Sequence, residues 1–150
     1  FIKKLIRSGW HKRLGKIFAY NVLVLLVPTG IYLSFFAKGG LTSTLSFSAL
    51  GVLLFYSLLK GISEIRRGNV IKHQEWMIRS YALAASALTF RIFHIALLFF
   101  SEDYVEVYLA AVNLSLVANL LIAEIIIESG RRRIKSYQKQ TLRQAQGDSF

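Results

Sequence analysis

The chain has 150 residues, a hydrophobic content of 54% and a formal net charge of +11 at pH 7. Because it has no cysteine, disulfides, thiolate metal sites and redox thiols are excluded. The charged residues lie in blocks between long apolar runs, whereas a soluble basic protein would spread them along its surface helices. This segregation predicts one all-α integral membrane domain over residues 1–135. Because the charges are distributed by membrane side, nucleic acid is not expected as a partner.

Four apolar stretches are long enough to cross a bilayer, since about 20 helical residues cover a hydrocarbon core of about 30 Å. They are residues 17–37, 41–59, 76–100 and 107–127, which predicts a bundle of four transmembrane helices. Pro28 lies inside the first stretch and predicts a kink, because it leaves the Val24 carbonyl without a donor. Gly68 and Asn69 predict the end of the second helix and the start of the third. Residues 136–150 are polar and lack hydrophobic periodicity, so we predict a disordered tail.

The distribution of lysine and arginine predicts the topology. Seventeen of the 19 such residues lie in the N-terminal segment, the connection at residues 60–79 or the C-terminal tail. The other two connections, a turn at residues 38–40 and an acidic segment at residues 101–106, hold Lys38 alone. By the positive-inside rule, both termini and the 60–79 connection are predicted to be cytoplasmic.

The third helix carries a seam of small and polar side chains. At about 100° per residue, six positions fall within roughly 80° of one another. They are His73, Ser80, Ala84, Ala87, Arg91 and His94. Small residues let helix backbones approach closely in lipid, and polar ones find partners there. We therefore expect the third helix to be central, with its seam facing the other helices.

Arg91 is the sharpest functional signal, because it lies about nine residues, roughly 13 Å, from the outer end of its helix. A charge at that depth costs from about 3 to over 10 kcal/mol unless it faces protein or water. One interpretation is a binding site for an anion, a lipid headgroup or a cofactor carboxylate. The other is a structural arginine, bonded to Asn113 or to carbonyls near Pro28.

Three further polar residues join Arg91 and Asn113 as ligand-binding candidates. Arg79 and Glu124 lie toward the cytoplasmic ends of their helices, where they either form an ion pair or extend separately to the interface. Asn119 favours a hydrogen bond to a neighbouring helix over a ligand.

Two histidines are candidates for haem ligands. His11 and His73 each lie at the cytoplasmic start of a spanning helix, at similar depth, and two helices can hold a b-type haem iron between imidazoles in this way. The alternative, which we favour, is that both are interfacial polar residues beside basic neighbours.

The sequence has no Walker loop, dinucleotide fingerprint, nucleophile elbow or paired-histidine zinc motif. No catalytic residue is predicted, and a non-enzymatic protein is favoured. Three hypotheses follow: a membrane protein whose seam is structural or binds lipid or anion, a b-type haem redox protein, and a small transporter or channel subunit. Membrane lipids are the expected partners, and a homo-oligomer or a partner membrane protein is left open.

Several motifs together resemble one family. They are Ile65-Arg66-Arg67-Gly68 through His73, Trp76-Met77-Ile78-Arg79-Ser80-Tyr81-Ala82-Leu83, Thr89, Arg91, His11-Lys12-Arg13-Leu14-Gly15-Lys16, and Asn119-Leu120 with Ala123-Glu124. Over about residues 9–133 the chain is similar to the bacterial predicted membrane proteins of "domain of unknown function 2306", although Ala118 stands where that family has a proline. The resemblance implies a multi-pass protein of the bacterial inner membrane and no particular activity. It also implies one further helix upstream, which would supply another wall of the bundle.

Overall fold

The computed structural model describes residues 9–36, 40–100 and 103–147, and four helices account for nearly all of them. The helices are α1 (Gly9–Ser34), α2 (Gly40–Arg66), α3 (Val70–Leu98) and α4 (Tyr104–Gly147). Each is long and apolar enough to cross a membrane, and no strand occurs in these ranges. The predicted all-α bundle of four transmembrane helices is therefore confirmed.

Four predicted features lie partly outside the described residues. The parts outside are residues 1–8 of the basic N-terminal segment, residues 37–39 at the first turn, residues 101–102 of the acidic segment and residues 148–150 of the polar tail. Contacts between neighbouring helices show that they alternate in direction, so the start of α1, the α2–α3 connection and the end of the α4 span lie at one end of the bundle. We call this the basic end, because the blocks of lysine and arginine lie there, and call the other the opposite end.

The α2–α3 connection at the basic end is tight. Gly68 has φ of +80°, a backbone conformation that glycine adopts without steric cost, and it ends α2 as predicted. Asn69 precedes α3, but its side chain does not cap that helix. Its amide instead donates to the buried Glu64 carboxylate at 3.0 Å. This hydrogen bond therefore holds the connection to the last turns of α2.

Helix α1 changes its winding next to Pro28. Residues Asn21–Leu26 form a π-helical stretch, and the α-helix resumes at Val27. A proline ring clashes with the carbonyl four residues earlier, and a wider turn relieves that clash. The Thr29 hydroxyl, next to the proline, donates to the Leu25 carbonyl of the preceding turn at 2.5 Å. Pro28 was predicted to kink the helix, and the structure shows a change of winding beside it.

Helix α3 is central, as the seam predicted, because it shares the two most extensive helix–helix interfaces, with α4 and with α2. The core joins the first three helices through Val22, Val27, Leu54, Leu58 and Leu83. The backbones of α2 and α3 approach closely at Gly61, where a Cβ atom would lie 3.2 Å from Met77 Sδ. Most other large apolar side chains point outward, as expected where lipid is the solvent.

Helix α4 is longer than its predicted span of residues 107–127. It continues to Gly147, so the structure shows a helix through most of the segment for which we predicted disorder, residues 136–150. Lysine, arginine, glutamine, alanine and leucine dominate the sequence there, and all of them favour helix. Periodicity with a buried face, on which our prediction relied, is therefore not needed for this segment to be helical.

Candidate ligand-binding cavity

A cavity of about 390 Å³ lies between the four helices, in the half of the bundle nearer the opposite end. Most of its wall is apolar, and includes Val27 of α1, Leu50 and Leu54 of α2, Leu83 of α3 and Leu116 of α4. Its volume falls within the range of about 300–1,000 Å³ that is usual for small-molecule sites. Polar groups reach it from every helix, namely Thr29, Ser34, Ser46, Ser86, Arg91, Tyr108 and Ser115.

Arg91 is the one cation among the described residues that line this cavity. Its Nη1 donates to the Ala87 carbonyl, one turn earlier on its own helix, at 3.3 Å. None of the ion pairs in the described part of the chain includes it. Arg91 and Ala87 are both exposed, so the cavity opens to the surface of the bundle beside them. The guanidinium thus retains free donors at an opening between helices.

The seam of α3 packs closely against other helices at Ser80 and lines the cavity at its later residues. Ser80 is fully buried, and its hydroxyl donates to the Trp76 carbonyl at 2.9 Å. Ala84, Ala87 and Arg91 follow on the same face and line the cavity. The predicted direction of the seam, toward the other helices, therefore holds at the buried Ser80, whereas Ala87 and Arg91 are exposed at the opening of the cavity.

An aromatic cluster lies beside the cavity toward the opposite end. The rings of Phe90 and Tyr108, which both line the cavity, meet edge to face at 5.2 Å between centroids. His94 stacks on Phe90 at 5.6 Å and meets Tyr104 at 5.1 Å. Its Nε2 atom is buried and has no hydrogen-bond partner among the described residues. The cluster gives that side of the cavity a rigid wall.

The two asparagine candidates of α4 both form hydrogen bonds to other helices. The buried Asn119 amide donates to Ser86 Oγ at 3.1 Å and to Thr89 Oγ1 at 2.5 Å, so it ties α4 to α3. The oxygen of Asn113 accepts from Ser46 Oγ at 3.0 Å. The structural role that we considered for Arg91, a bond to Asn113, is therefore absent, and its carbonyl partner lies on its own helix.

Arg79 and Glu124 form the ion pair that the sequence left as one of two alternatives. Arg79 Nε and Nη2 donate to the two carboxylate oxygens at 2.6 and 3.0 Å. The guanidinium carbon of Arg79 lies over the Trp76 ring, 4.8 Å from the ring centroid. A second pair, between Arg131 and Glu75, has distances of 2.6 and 2.7 Å and was not predicted. Both pairs join α3 to α4 at the basic end, apart from the cavity.

The structure does not bring the two histidine candidates into a shared site. His11 is exposed on α1. His73 Nδ1 lies 2.7 Å from the Gly61 carbonyl, which ties the start of α3 to α2. Neither histidine lines the Arg91 cavity. No group of three or more histidine and carboxylate residues in the described ranges is placed to hold a metal ion. Haem binding and transport remain predictions without a supporting contact.

Sequence reasoning missed the cavity wall contributed by serines and aromatic residues. Ser34, Ser46, Ser86 and Ser115 each lie in an apolar run, where a serine usually bonds its own helix. Their convergence depends on the register of four helices, which no local pattern contains. Tyr108 and Phe90 could have been flagged as an α3–α4 contact only once that register was known.

Comparison with known proteins gives a family and no closer relative. The family model described as "predicted membrane protein (DUF2306)" matches residues 1–127. Neither the curated proteins nor the solved structures contain a match. With most of the sequence aligned to that model and four apolar helices in the structure, the chain is a membrane protein that belongs to the DUF2306 family of unknown function.

Proposed function

We propose that this chain is a non-enzymatic protein of the bacterial cytoplasmic membrane that binds an anionic amphiphile in the Arg91 cavity. The carboxylate or phosphate of the amphiphile would bind Arg91, and its hydrocarbon part would lie along the apolar wall. The observation that carries the proposal is the Arg91 guanidinium at the opening of an apolar cavity. Among the described residues, its only acceptor is a main-chain carbonyl of its own helix.

The cost of placing a charge inside a membrane supports a bound anion. An arginine within a membrane is stabilised by a carboxylate, by water or by a bound anion, and the described residues give it no carboxylate. A guanidinium binds carboxylate and phosphate with two parallel hydrogen bonds, which are roughly twice as strong as neutral ones. A bound acid would thus supply the partner that the fold leaves out.

The shape and chemistry of the cavity favour an amphiphile over a small inorganic anion. Its wall is largely apolar, and an inorganic ion would leave that wall without contacts. The cavity opens between helices on a face whose neighbours, such as Leu88 and Ile92, are exposed apolar residues. In a bilayer this face meets lipid, so an amphiphile can enter sideways without crossing water.

The membrane and the orientation belong to the same proposal. The clustering of lysine and arginine at the basic end supports a cytoplasmic location for that end, which puts the Arg91 cavity in the outer half of the membrane. The available acids there would be the lipids and fatty acids of the outer leaflet.

Native mass spectrometry of the detergent-purified protein tests the proposal. We would add dodecanoic acid, a lysophosphatidic acid or, as the uncharged control, a monoacylglycerol of the same chain length. We expect one retained molecule of either acid and no retention of the uncharged lipid. Arg91→Gln should weaken retention at least about tenfold, since hydrogen bonds to charged groups contribute about 1.5–3 kcal/mol.

Two variants serve as controls. Arg91→Lys keeps the charge and should retain part of the binding, whereas Arg132→Gln removes an exposed arginine that lies outside the cavity and should change nothing. Equal retention of acids by the wild type and a folded Arg91→Gln variant would refute the proposal.

A further inference from the structure

A second concave site, unrelated to the Arg91 cavity, lies at the basic end. It is a groove of about 680 Å³ between the α2–α3 connection and the extension of α4. One wall carries Val70, Ile71 and Lys72, and the other carries Ile134 and Lys135. We call it the basic groove. It combines exposed apolar side chains with cations, and the family assignment does not explain it.

The charge of the basic groove is positive once its internal ion pair is taken into account. Glu75 is the only carboxylate among its described lining residues, and both of its oxygens accept hydrogen bonds from Arg131. This pair is therefore neutral as a unit. Lys72 and Lys135 face the groove from opposite walls and have no ion pair in the described part of the chain. Two unpaired ammonium groups remain, suited to one anion between them.

The depth of the groove matches the headgroup layer. Lys72 precedes the apolar span that begins at residue 76 by four residues, about 6 Å along the helix, and Lys135 follows residue 127 by eight, about 12 Å. The headgroup region of a bilayer adds about 5–8 Å on each side of the hydrocarbon core. Lys72 thus lies at the level of lipid phosphates, and the longer α4 brings Lys135 over them from the aqueous side.

The groove also carries exposed apolar side chains. Val70, Ile71 and Ile134 are 51%, 54% and 42% exposed and lie outside the apolar stretches predicted from the sequence, residues 76–100 and 107–127. They lie about 8–11 Å beyond those stretches, on the aqueous side of Lys72, so the headgroup of a lipid and not its acyl chains would cover them. Basic pockets of this kind between helices are suited to anionic headgroups.

We propose that the basic groove binds the headgroup of an anionic membrane phospholipid, with Lys72 and Lys135 on its phosphate and with Val70, Ile71 and Ile134 beside the part of the headgroup on the aqueous side of the phosphate. The neutral Glu75–Arg131 pair forms the floor and holds the two walls at a fixed distance. The bound lipid fastens the α4 extension to the α2–α3 connection.

A fluorescence titration tests this assignment, and the absence of native cysteine permits a single reporter. Ile134→Cys, or Val70→Cys as a second reporter, is labelled with an environment-sensitive dye in detergent micelles. We would add dioctanoyl phosphatidylglycerol, dioctanoyl phosphatidylcholine, sn-glycerol 3-phosphate or a poly-glutamate peptide. We expect a saturable blue shift with phosphatidylglycerol and none with the other three.

Charge variants then locate the binding. Lys72→Gln and Lys135→Gln should each weaken phosphatidylglycerol binding about fivefold, the equivalent of about 1 kcal/mol for each basic residue. Lys139→Gln is the matched control, because it removes one positive charge from the same α4 extension outside the groove, and it should bind as the wild type does. Arg91→Gln should also bind normally, which separates this site from the Arg91 cavity.

Several outcomes would overturn the assignment. Equal saturation by glycerol 3-phosphate would mean a soluble phosphate ligand, and saturation by poly-glutamate alone would mean an acidic protein segment. Equal losses in Lys139→Gln and Lys72→Gln would mean nonspecific attraction to the whole basic end. Absence of a saturable shift with both reporters would mean that no lipid binds in the groove.

Discussion

At the scale of single residues, the ion pair between Arg79 and Glu124 shows how α3 and α4 are held in register. The pair is bidentate, and the Trp76 ring covers one face of the guanidinium. Its two side chains differ in exposure, 19% for Arg79 and 53% for Glu124. The pair therefore has one partly desolvated partner, which sets it between a surface bridge and a buried one.

A double-mutant cycle measures the strength of this pair. Arg79→Gln and Glu124→Gln should each lower the free energy of unfolding by about 1 kcal/mol, with a coupling energy of about 0.5–1 kcal/mol. Reversible unfolding in mixed detergent and sodium dodecyl sulfate micelles gives both values. The Glu128–Arg132 pair is the control, because both of its side chains are exposed and its coupling should be near zero. Equal couplings for the two pairs would show that the bidentate geometry contributes nothing.

What the sequence predicts at this scale depends on whether the signal is local. The α3 seam was predictable because six positions repeat on one helix face, and Ser80 is indeed buried. Arg79 and Glu124 could be seen as candidates, and their ion pair as one of two alternatives, because separate interfacial positions were equally consistent with the sequence. The Glu75–Arg131 pair joins residues 56 positions apart and has no signal in either helix alone.

At the scale of the helix, the π-helical stretch of α1 solves a problem of register. Val22 and Val27 are both buried in the core. In a regular α-helix, residues five apart point about 140° away from each other. In a π-helix, i→i+5 hydrogen bonds bring such residues to nearly the same face. The stretch before Pro28 therefore lets both valines face α2 and α3.

Replacing Pro28 with alanine should remove the steric reason for this winding. We expect α1 to become a regular α-helix and its first half to rotate by about 100°, which moves Val22 toward lipid and separates the Phe18 and Tyr81 rings, now 4.4 Å apart. A single Val22→Cys is then expected to react faster with a lipid-soluble maleimide in the Pro28→Ala background. Val27→Cys, on the other side of the stretch, is the control and should keep its low reactivity. Unchanged reactivity at both sites would mean that packing, and not proline, maintains the π-helix.

Helix boundaries were predictable where composition changes abruptly and not where it changes gradually. Gly68 ends α2 at the expected place, because its positive φ stops the helix whatever surrounds it. The C-terminal end of α4 lies far beyond its apolar span, because lysine, arginine and glutamine continue a helix as readily as leucine does. Hydropathy therefore marks where α4 enters the apolar region but says little about where the helix stops.

At the scale of the whole molecule, hydropathy was sufficient for the four-helix architecture, but the cavity required the helices to be assembled. Each helix contributes one or two polar groups to the cavity wall, and no helix contributes enough to be recognised alone. Arg91 was identified from the sequence because a charge in an apolar run is exceptional. Ser34, Ser46 and Ser115 were not, because serine is common in membrane helices.

The orientation of the molecule decides which leaflet each site meets, and single cysteines in this cysteine-free chain test it. Phe100 is 86% exposed at the opposite end, and Ser136 is exposed on the α4 extension. If the basic end is cytoplasmic, Phe100→Cys should react with a membrane-impermeant maleimide in intact spheroplasts. Ser136→Cys should react only after lysis.

The reverse labelling pattern would invert the positive-inside prediction and exchange the leaflets of the two sites. The basic groove would then meet the outer leaflet, while the Arg91 cavity would take its ligand from the cytoplasmic side. Neither binding experiment in detergent depends on this orientation, because both measure contacts between a lipid and named side chains. Labelling of both cysteines in intact spheroplasts would mean that α4, the helix between them, does not cross the membrane, against its length of 44 residues.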